Sequence, residues 1–117
     1  MDKIKKYKNI LLKEMQHQAA IPFGNAPELH RHLMVGQNED EFILILKGWQ
    51  DETYRHGVIF HFQIIEDKVW LHENNTDIDI GSKLAQLGIP KSDIILGFVS
   101  NLEKTVEGYS GISKKAS

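Results

Sequence analysis

The fold is decided by residues 57–73, which read GVIFHFQIIEDKVWLHE. Two runs of largely alternating apolar and polar side chains flank the turn residues Glu66 and Asp67. A period of two is typical of a β-strand, and so short a connection is typical of an antiparallel hairpin. The sequence therefore predicts two paired strands, over 57–65 and 68–73.

Two further strands are predicted before this hairpin, over 28–35 and 42–49. Each is followed by typical turn material, GQNED after the first and QDET after the second. Because all three connections are short, we expect the four strands to form one antiparallel meander.

A helix is predicted on each side of the meander. Residues 2–20 place apolar side chains at spacings of three and four among lysines, which is typical of an amphipathic helix. Its apolar stripe comprises Ile4, Tyr7, Leu11 and Met15. A second helix is predicted to begin at Thr76, where Asp79 completes a capping-box pattern, and to end at Leu87.

The segment after the second helix reads GIPKSD and begins at Gly88. Glycine suits the left-handed position after a helix, and Pro90 prevents the helix from continuing. Asp93 is a turn residue before a short final strand over 94–98, which contains Gly97. A phosphate-binding loop needs glycines that follow a strand and open a helix, which is the reverse order. We therefore interpret four residues as a structural turn signature: Gly88, Pro90, Asp93 and Gly97.

The order of the elements, α-β-β-β-β-α-β, defines the fold class. It predicts a single α+β domain over 1–117, with an antiparallel sheet and both helices packed on one of its faces. The last residues, about 112–117, are expected to be a frayed tail.

Alternation along the strands sorts their side chains onto two faces of the predicted sheet. One face is nearly all apolar and is predicted to form the core, with Val58 on it and Arg31 as the exception. The second face mixes histidines with large apolar side chains: His30, His32, Met34, Ile43, Ile45, Lys47, Trp49, Ile59, His61, Gln63, Ile65, Lys68, Trp70 and His72.

The composition of this second face predicts that something covers it. Monomers rarely expose large contiguous apolar patches, and aromatic residues with few acids are typical of partner surfaces. Either another part of the chain or a second protein covers the face, and we prefer the second protein. The predicted partner surface comprises Trp49, His61, Trp70, His30, His32 and His72.

The sequence contains no group of residues typical of catalysis. It has no cysteine, and no serine lies in the strand-to-helix pattern of a nucleophile elbow. Acids in the hairpin turn and at the second helix start are explained by turn chemistry and capping. We therefore predict a protein that is not an enzyme, with no catalytic residue and no cofactor.

A metal site is an alternative interpretation of the histidines. His30 and His32 are two apart on one strand and point the same way, and His61 and His72 lie nearby if their strands are adjacent. The face is short of the carboxylates that orient metal-binding histidines. We predict no metal site, and a small histidine-based metal- or ligand-binding protein remains an alternative.

Charge and hydropathy narrow the choice of partners. The net charge is −2 at pH 7, which is not the basic footprint of a DNA-binding domain. The first helix is the exception, because five lysines cluster there; we prefer a solvated helix face, with DNA binding as the alternative. Those lysines are Lys3, Lys5, Lys6, Lys8 and Lys13.

The sequence shows no apolar stretch long enough to span a membrane and no signal peptide. We therefore expect a cytoplasmic protein without membrane contact.

Short motifs spread along the chain share their order and spacing with a known family. They are Gly48-Trp49, Arg55-His56-Gly57 with His61, Asp67-Lys68-Val69-Trp70, Thr76, Gly88-Ile89-Pro90-Lys91, Asp93-Ile94 and Gly97-Phe98. Through them the chain resembles the XisI-like family of fdxN element excision controlling factors, over residues 3–111. It departs from the family pattern at Val99 and Lys104, where histidine and arginine are usual.

This resemblance implies an accessory protein in the developmentally controlled, site-specific DNA excision of heterocyst-forming cyanobacteria. In that family the protein acts beside a recombinase and an XisH-like companion that looks like an endonuclease-fold enzyme. The resemblance therefore implies an XisH-like partner, with DNA contacted only indirectly through partners. A homo-oligomer such as a dimer is also open, as is whether this copy acts in excision or at another locus.

Overall fold

The structure is a computed structural model that describes residues 3–97. The predicted strand end at Phe98, the tail over 112–117, and the positions Val99 and Lys104 lie outside the described residues. The elements in chain order are α1 (Lys3–Ala19), β1 (Leu29–Val35), β2 (Glu41–Gln50), β3 (Thr53–Ile65), β4 (Lys68–Asn74), α2 (Ile80–Leu87), a 3-10 turn (Lys91–Asp93) and β5 (Ile94–Leu96).

The five strands form one sheet in the order β1-β2-β3-β4-β5, and the α+β fold class is confirmed. The first four strands pair antiparallel with their neighbours, as the meander predicts. The antiparallel arrangement does not extend to the final strand, because β5 pairs parallel with β4 and the sheet is mixed. The chain passes through α2 between these two strands and so returns to the sheet running in the same direction.

The strand β3 is longer than the sequence predicts. Its first residue is Thr53 rather than Gly57, because the turn after β2 contains only Asp51 and Glu52. Asp51 takes a positive φ of 57°, a conformation that aspartate tolerates better than most residues. The β2–β3 hairpin therefore extends four residues further and carries the pairs Trp49–Tyr54 and Gln50–Thr53.

Both helices pack on the same face of the sheet and bury its apolar side chains. Tyr7, Leu11 and Met15 of α1 and Ile80 and Leu84 of α2 belong to one core cluster with the strands. The largest fully buried side chains contributed by the sheet are Phe42, Phe60, Phe62, Leu44, Leu71, Ile94 and Val69. Removing this apolar surface from water is the main force that stabilises the fold.

A β-bulge in β3 reverses the predicted faces of two residues. The register of β2 and β3 shifts between Leu44, which pairs with Phe60, and Ile45, which pairs with Val58. The extra residue, Ile59, is buried in the core cluster, and Val58 shares the opposite face with Ile45. The prediction that Val58 faces the core and Ile59 faces away is therefore wrong, because a bulge adds one residue to the alternation.

The N-cap of α2 also differs from the predicted one. Asp79, not Thr76, precedes the helix and accepts a hydrogen bond from the Ser82 backbone N–H. The Thr76 hydroxyl instead donates to Asn74 and accepts from the Ile78 N–H, which forms a local turn. The helix therefore begins at Ile80, one turn later than the capping-box pattern indicates.

The end of α2 follows the chemistry of its glycine. Gly88 has a φ of +123° and donates its N–H to the carbonyls of Leu84 and Ala85. A Cβ at this position would lie 3.0 Å from the Lys6 Cε of α1, so the glycine also permits close packing of the two helices. Among residues 3–97, no helix is both long and apolar enough to cross a membrane.

Candidate partner-binding surface

The sheet face opposite the helices is called the open face below. Within residues 3–97, neither helix packs on it, since both belong to the core cluster on the other side. Three of its large apolar side chains are well exposed, Met34 at 43%, Trp49 at 50% and Ile65 at 39%. Ile45 and Ile95 also lie on this face but are buried. The exposed apolar surface is therefore concentrated at β1, at the β2–β3 turn and at the end of β3.

The centre of the open face holds a group of polar and aromatic side chains, called the histidine cluster. Its members are Glu41, His61, Gln63, Trp70 and His72. The register brings them together, because Glu41 pairs with Gln63 and Gln63 pairs with Trp70 across three neighbouring strands. His72 lies at a second bulge, where the β3–β4 register shifts between His61 and Phe62.

Direct contacts connect the members of the histidine cluster. The Nε2 atom of His61 lies 2.7 Å from Glu41 Oε2, and Nε2 of His72 lies 2.9 Å from Gln63 Oε1. The two imidazole centroids are 4.7 Å apart, and the Trp70 ring stacks on His72 at 5.9 Å. Each histidine therefore keeps one ring nitrogen in a hydrogen bond within the cluster.

The electrostatics of the cluster favour a neutral His72. Burial lowers the pKa of His72, and the nearby His61 lowers it further, against the weaker opposing effects of Glu41 and Glu73. A neutral His72 imidazole carries no charge, and its Nε2 is already hydrogen-bonded to Gln63. An uncharged side chain suits contact with another protein better than a charged one does, because charged residues are depleted at the centre of interfaces.

Gly97 lies against the histidine cluster, a placement that the sequence did not indicate. Its N–H donates to the Leu71 carbonyl at 3.0 Å. A Cβ at this position would be 3.4 Å from Trp70 Cε3 and 3.6 Å from His72 Nδ1. Glycine here lets the backbone after β5 approach the two rings closely.

The residues Trp49 and Tyr54 form a second group at the β2–β3 turn. Their rings meet edge to face, with centroids 5.3 Å apart. The glycine before the tryptophan is required by a close approach, since a Cβ at Gly48 would lie 2.1 Å from the Glu28 carbonyl oxygen. This approach is accompanied by a hydrogen bond from the Trp49 N–H to that carbonyl. The Gly-Trp motif therefore positions the exposed indole.

The structure separates the two tryptophans of the predicted partner surface. Trp49 is paired with Tyr54, whereas Trp70 is paired with Gln63, nine positions further along β3. At about 3.3 Å per residue, this places them on the order of 30 Å apart on one face. His61, Trp70 and His72 are brought together, and Trp49 is not among them.

The histidines of β1 are also apart from the cluster. His30 and His32 are exposed and pair with Lys47 and Ile45 of β2, so a whole strand separates them from His61. Within the described part of the chain, no group of three or more histidines and carboxylates could hold a metal ion. The four histidines therefore do not converge on one point.

Four of the five lysines of α1 lie in two different environments. The Lys3 ammonium lies 3.2 Å from an Asp93 carboxylate oxygen, whereas Lys5, Lys6 and Lys8 line a groove of about 480 Å³ beside Glu39. The groove is open and contains an acid, so it lacks the purely basic character of a phosphate-binding surface.

Asp93, which the sequence indicates only as a turn residue, is buried and 8% exposed. It accepts a hydrogen bond from the Tyr7 hydroxyl and ion pairs from Lys3 and Lys68, each at 3.2 Å. Burial alone would raise its pKa, but these donors together hold the pKa of Asp93 below its usual value. Burial and the adjacent carboxylate raise the pKa of Tyr7. This group, the Asp93 cluster, joins α1 to β4 and to the turn before β5.

The fold and the open face together define the class of protein. It is a small α+β protein in which two helices cover one face of a mixed sheet, while the other face presents histidines and tryptophans. The chain belongs to the XisI protein family, whose model matches residues 1–111. This match confirms the resemblance seen in the sequence motifs.

Two solved structures share this fold. An XisI-like protein from Anabaena variabilis ATCC 29413 has a TM-score of 0.81 at 23% identity, with 93% of this chain and 99% of that chain covered. The fdxN element excision controlling factor XisI from the same organism has a TM-score of 0.74 at 22% identity, covering 93% and 98%. At these identities the similarity establishes the fold. No curated protein matches the sequence.

Proposed function

We propose that this protein is a non-enzymatic accessory factor for site-specific DNA excision. In this proposal it acts in the cytoplasm and docks an XisH-like protein with an endonuclease-like fold through its open face. It contacts DNA only through its partners. Membership of the XisI family supports the excision role, since one solved relative is named as the fdxN element excision controlling factor.

The observation that carries the docking proposal is the exposure of large apolar and aromatic side chains on the open face. Trp49 and Tyr54 are each about half exposed, and Met34 of β1 and Ile65 of β3 are also exposed. Tryptophan, tyrosine and methionine are enriched at protein–protein interfaces, whereas lysine and acidic residues are depleted. A docked protein would remove this apolar surface from water, which favours association.

The separation of the two tryptophans divides the proposed docking surface into two areas. One area is the histidine cluster around Trp70, and the other is the β2–β3 turn with Trp49 and Tyr54. A partner that contacts both must extend on the order of 30 Å along the sheet. That length is compatible with a standard protein–protein interface, which involves about 20–30 residues on each side.

The proposal is tested by co-expressing the chain with an XisH-like protein and measuring the affinity of the purified pair by calorimetry. Trp49→Ala and Trp70→Ala, made separately, are each expected to cost at least about 2 kcal/mol, a loss of roughly thirtyfold in Kd. The matched control is Leu87→Ala, which removes an exposed apolar side chain from α2 on the other side of the sheet.

Circular dichroism of each variant separates a loss of binding from a loss of fold. Folded tryptophan variants that bind with unchanged affinity would contradict docking through the open face. Retention of the isolated chain on excision-element DNA, with a steep loss on adding salt, would instead favour direct DNA binding by the lysines of α1.

A further inference from the structure

The strand β1 forms one edge of the sheet and has a free side. It pairs with β2 through all seven of its residues, Leu29–Val35, and has no strand on its other side within residues 3–97. Within the same residues, the opposite edge is formed by β5, which is only three residues long. A short edge strand offers few hydrogen-bonding groups to another chain, whereas a long regular one offers many.

The hydrogen bonds at both ends of β1 show which backbone groups point outward. Gly36 donates to the Glu41 carbonyl, and Trp49 donates to the Glu28 carbonyl, so even-numbered residues bond to β2. In an antiparallel pair, hydrogen-bonded positions alternate with positions whose N–H and C=O point away. The groups of Leu33 and Val35 therefore point outward, and no hydrogen bond from residues 3–97 occupies them.

The first half of β1 is partly engaged by the preceding loop. Leu29 donates its N–H to the Ala26 carbonyl, and the Arg31 Nε donates to the Ile21 carbonyl at 2.7 Å. The Arg31 guanidinium also lies over the Phe23 ring at 4.1 Å. The available edge is therefore the second half of the strand, from Arg31 to Val35.

This edge has few of the features that usually prevent strands of different molecules from pairing, and its one charged side chain, Arg31, is bound to the preceding loop. The stretch contains no proline and no lysine, and its register with β2 is continuous, without a bulge. Met34 and Val35 expose 43% and 38% of their surface there. We propose that two copies of this chain pair antiparallel through β1 and so form one continuous ten-stranded sheet.

A two-fold axis at Leu33 is the register that pairs the whole available edge, from Arg31 to Val35, with the same edge of the second copy. It places Leu33 opposite its own copy, Arg31 opposite Val35, and His32 opposite Met34. A register centred on Arg31 would place like charges directly opposite each other, which is destabilising. In the Leu33 register, the two Leu33 side chains meet, and each exposed Met34 and Val35 lies across from His32 and Arg31 of the other copy.

The pairing leaves the open face free. Because strands added at an edge continue the same sheet, both open faces lie on one side of the dimer and form a single surface. The inference therefore does not rest on the proposed docking of a partner, and it is tested without one.

The test measures the mass of the full chain by light scattering after size-exclusion chromatography at about 100 μM, well above the micromolar range of ordinary association. The wild type is expected to have twice its 13.4 kDa mass. Met34→Lys places a charge at the contact, opposite His32, and is expected to weaken self-association at least about tenfold. Ile65→Lys is the matched control, since Ile65 is similarly exposed on the same face but lies on β3.

Val35→Pro is the second variant, because it removes an outward N–H without breaking a bond to β2. Both β1 variants are expected to show a lower mass than the wild type at the same concentration, whereas Ile65→Lys is expected to keep the dimer mass. A monomeric wild type would overturn the inference. So would a dimer that survives both β1 variants, or one that only Ile65→Lys dissociates, since the contact would then involve the open face.

Discussion

The Asp93 cluster and the histidine cluster are both polar groups built on β4, yet they differ in what they hold together. Asp93 is buried and connects Tyr7 of α1 with Lys68 of β4, elements that are far apart in the sequence. The histidine cluster connects Glu41, His61 and His72 on strands that the sheet already joins. The Asp93 cluster therefore stabilises the tertiary structure, whereas the side chains of the histidine cluster stay partly exposed on the open face.

The difference in burial determines how much each group contributes to folding. An ion pair in contact with solvent gains little, because water already solvates its charges. The side chains of His61 and Glu41 are 23% and 37% exposed, whereas the Asp93 side chain is 11% exposed. A buried carboxylate without its donors would be costly, so all three donors of Asp93 are needed.

The largest expected effect on the free energy of unfolding comes from a pair of variants that replace one carboxylate by an amide in each cluster. Asp93→Asn is expected to lower the free energy of unfolding by about 2 kcal/mol, because a hydrogen-bonded buried carboxylate is lost. Glu41→Gln, which also replaces a carboxylate by an amide, is expected to change it by less than about 0.5 kcal/mol. Urea unfolding at pH 7 measures both.

Equal losses in these two variants would contradict the distinction between a structural and a partly exposed cluster. Asp67→Asn is a further control, since Asp67 is exposed and lies 3.9 Å from the same Lys3 ammonium. Its replacement is expected to be nearly neutral.

An intermediate effect on the free energy of unfolding is expected when Asp93 is protonated by lowering the pH instead of being replaced by asparagine. The folded pKa of Asp93 lies below its ordinary value of 3.8, so its stabilisation is present above pH 3.8. It is lost as the pH falls from there through the lowered folded pKa. The stability difference between wild type and Asp93→Asn is therefore expected to shrink from pH 7 to pH 2.5 in urea unfolding. A constant difference would show that Asp93 is not stabilising as a carboxylate.

The smallest effect is expected from His72. Its folded pKa lies below the ordinary histidine value of 6.5, so protonation favours the unfolded chain. Stability is lost as the pH falls from 6.5 to the lowered folded pKa, and His72→Gln is expected to remove that loss. NMR titration of the imidazole checks the direction, and a midpoint at or above 6.5 would contradict it.

Much of the fold could be predicted because its signals are local. The alternation over 57–73 predicted the β3–β4 hairpin, and the three- and four-residue spacing of Tyr7, Leu11 and Met15 predicted the buried stripe of α1. Gly88 predicted the end of α2, because few residues other than glycine adopt a φ of +123°. The family was also readable from short motifs whose order the chain preserves.

The candidate site was predictable in composition but not in arrangement. The alternation of side chains along the strands placed His61, Trp70 and His72 on one face, and the structure brings these three together. The same alternation also placed Trp49 and His32 on that face, and the strand register separates both from the histidine cluster. Alternation gives the face of a residue but not its position along the neighbouring strand.

By itself, the sequence determined which segments are strands and helices, which side chains are apolar enough to be buried, and to which family the chain belongs. Only the tertiary structure decided that Ile59 rather than Val58 is in the core, that β5 runs parallel to β4, and that Asp93 meets Tyr7. The physical reason is that bulges, register and pairs separated by 86 positions depend on contacts between distant segments. Periodicity along the chain carries no information about such contacts.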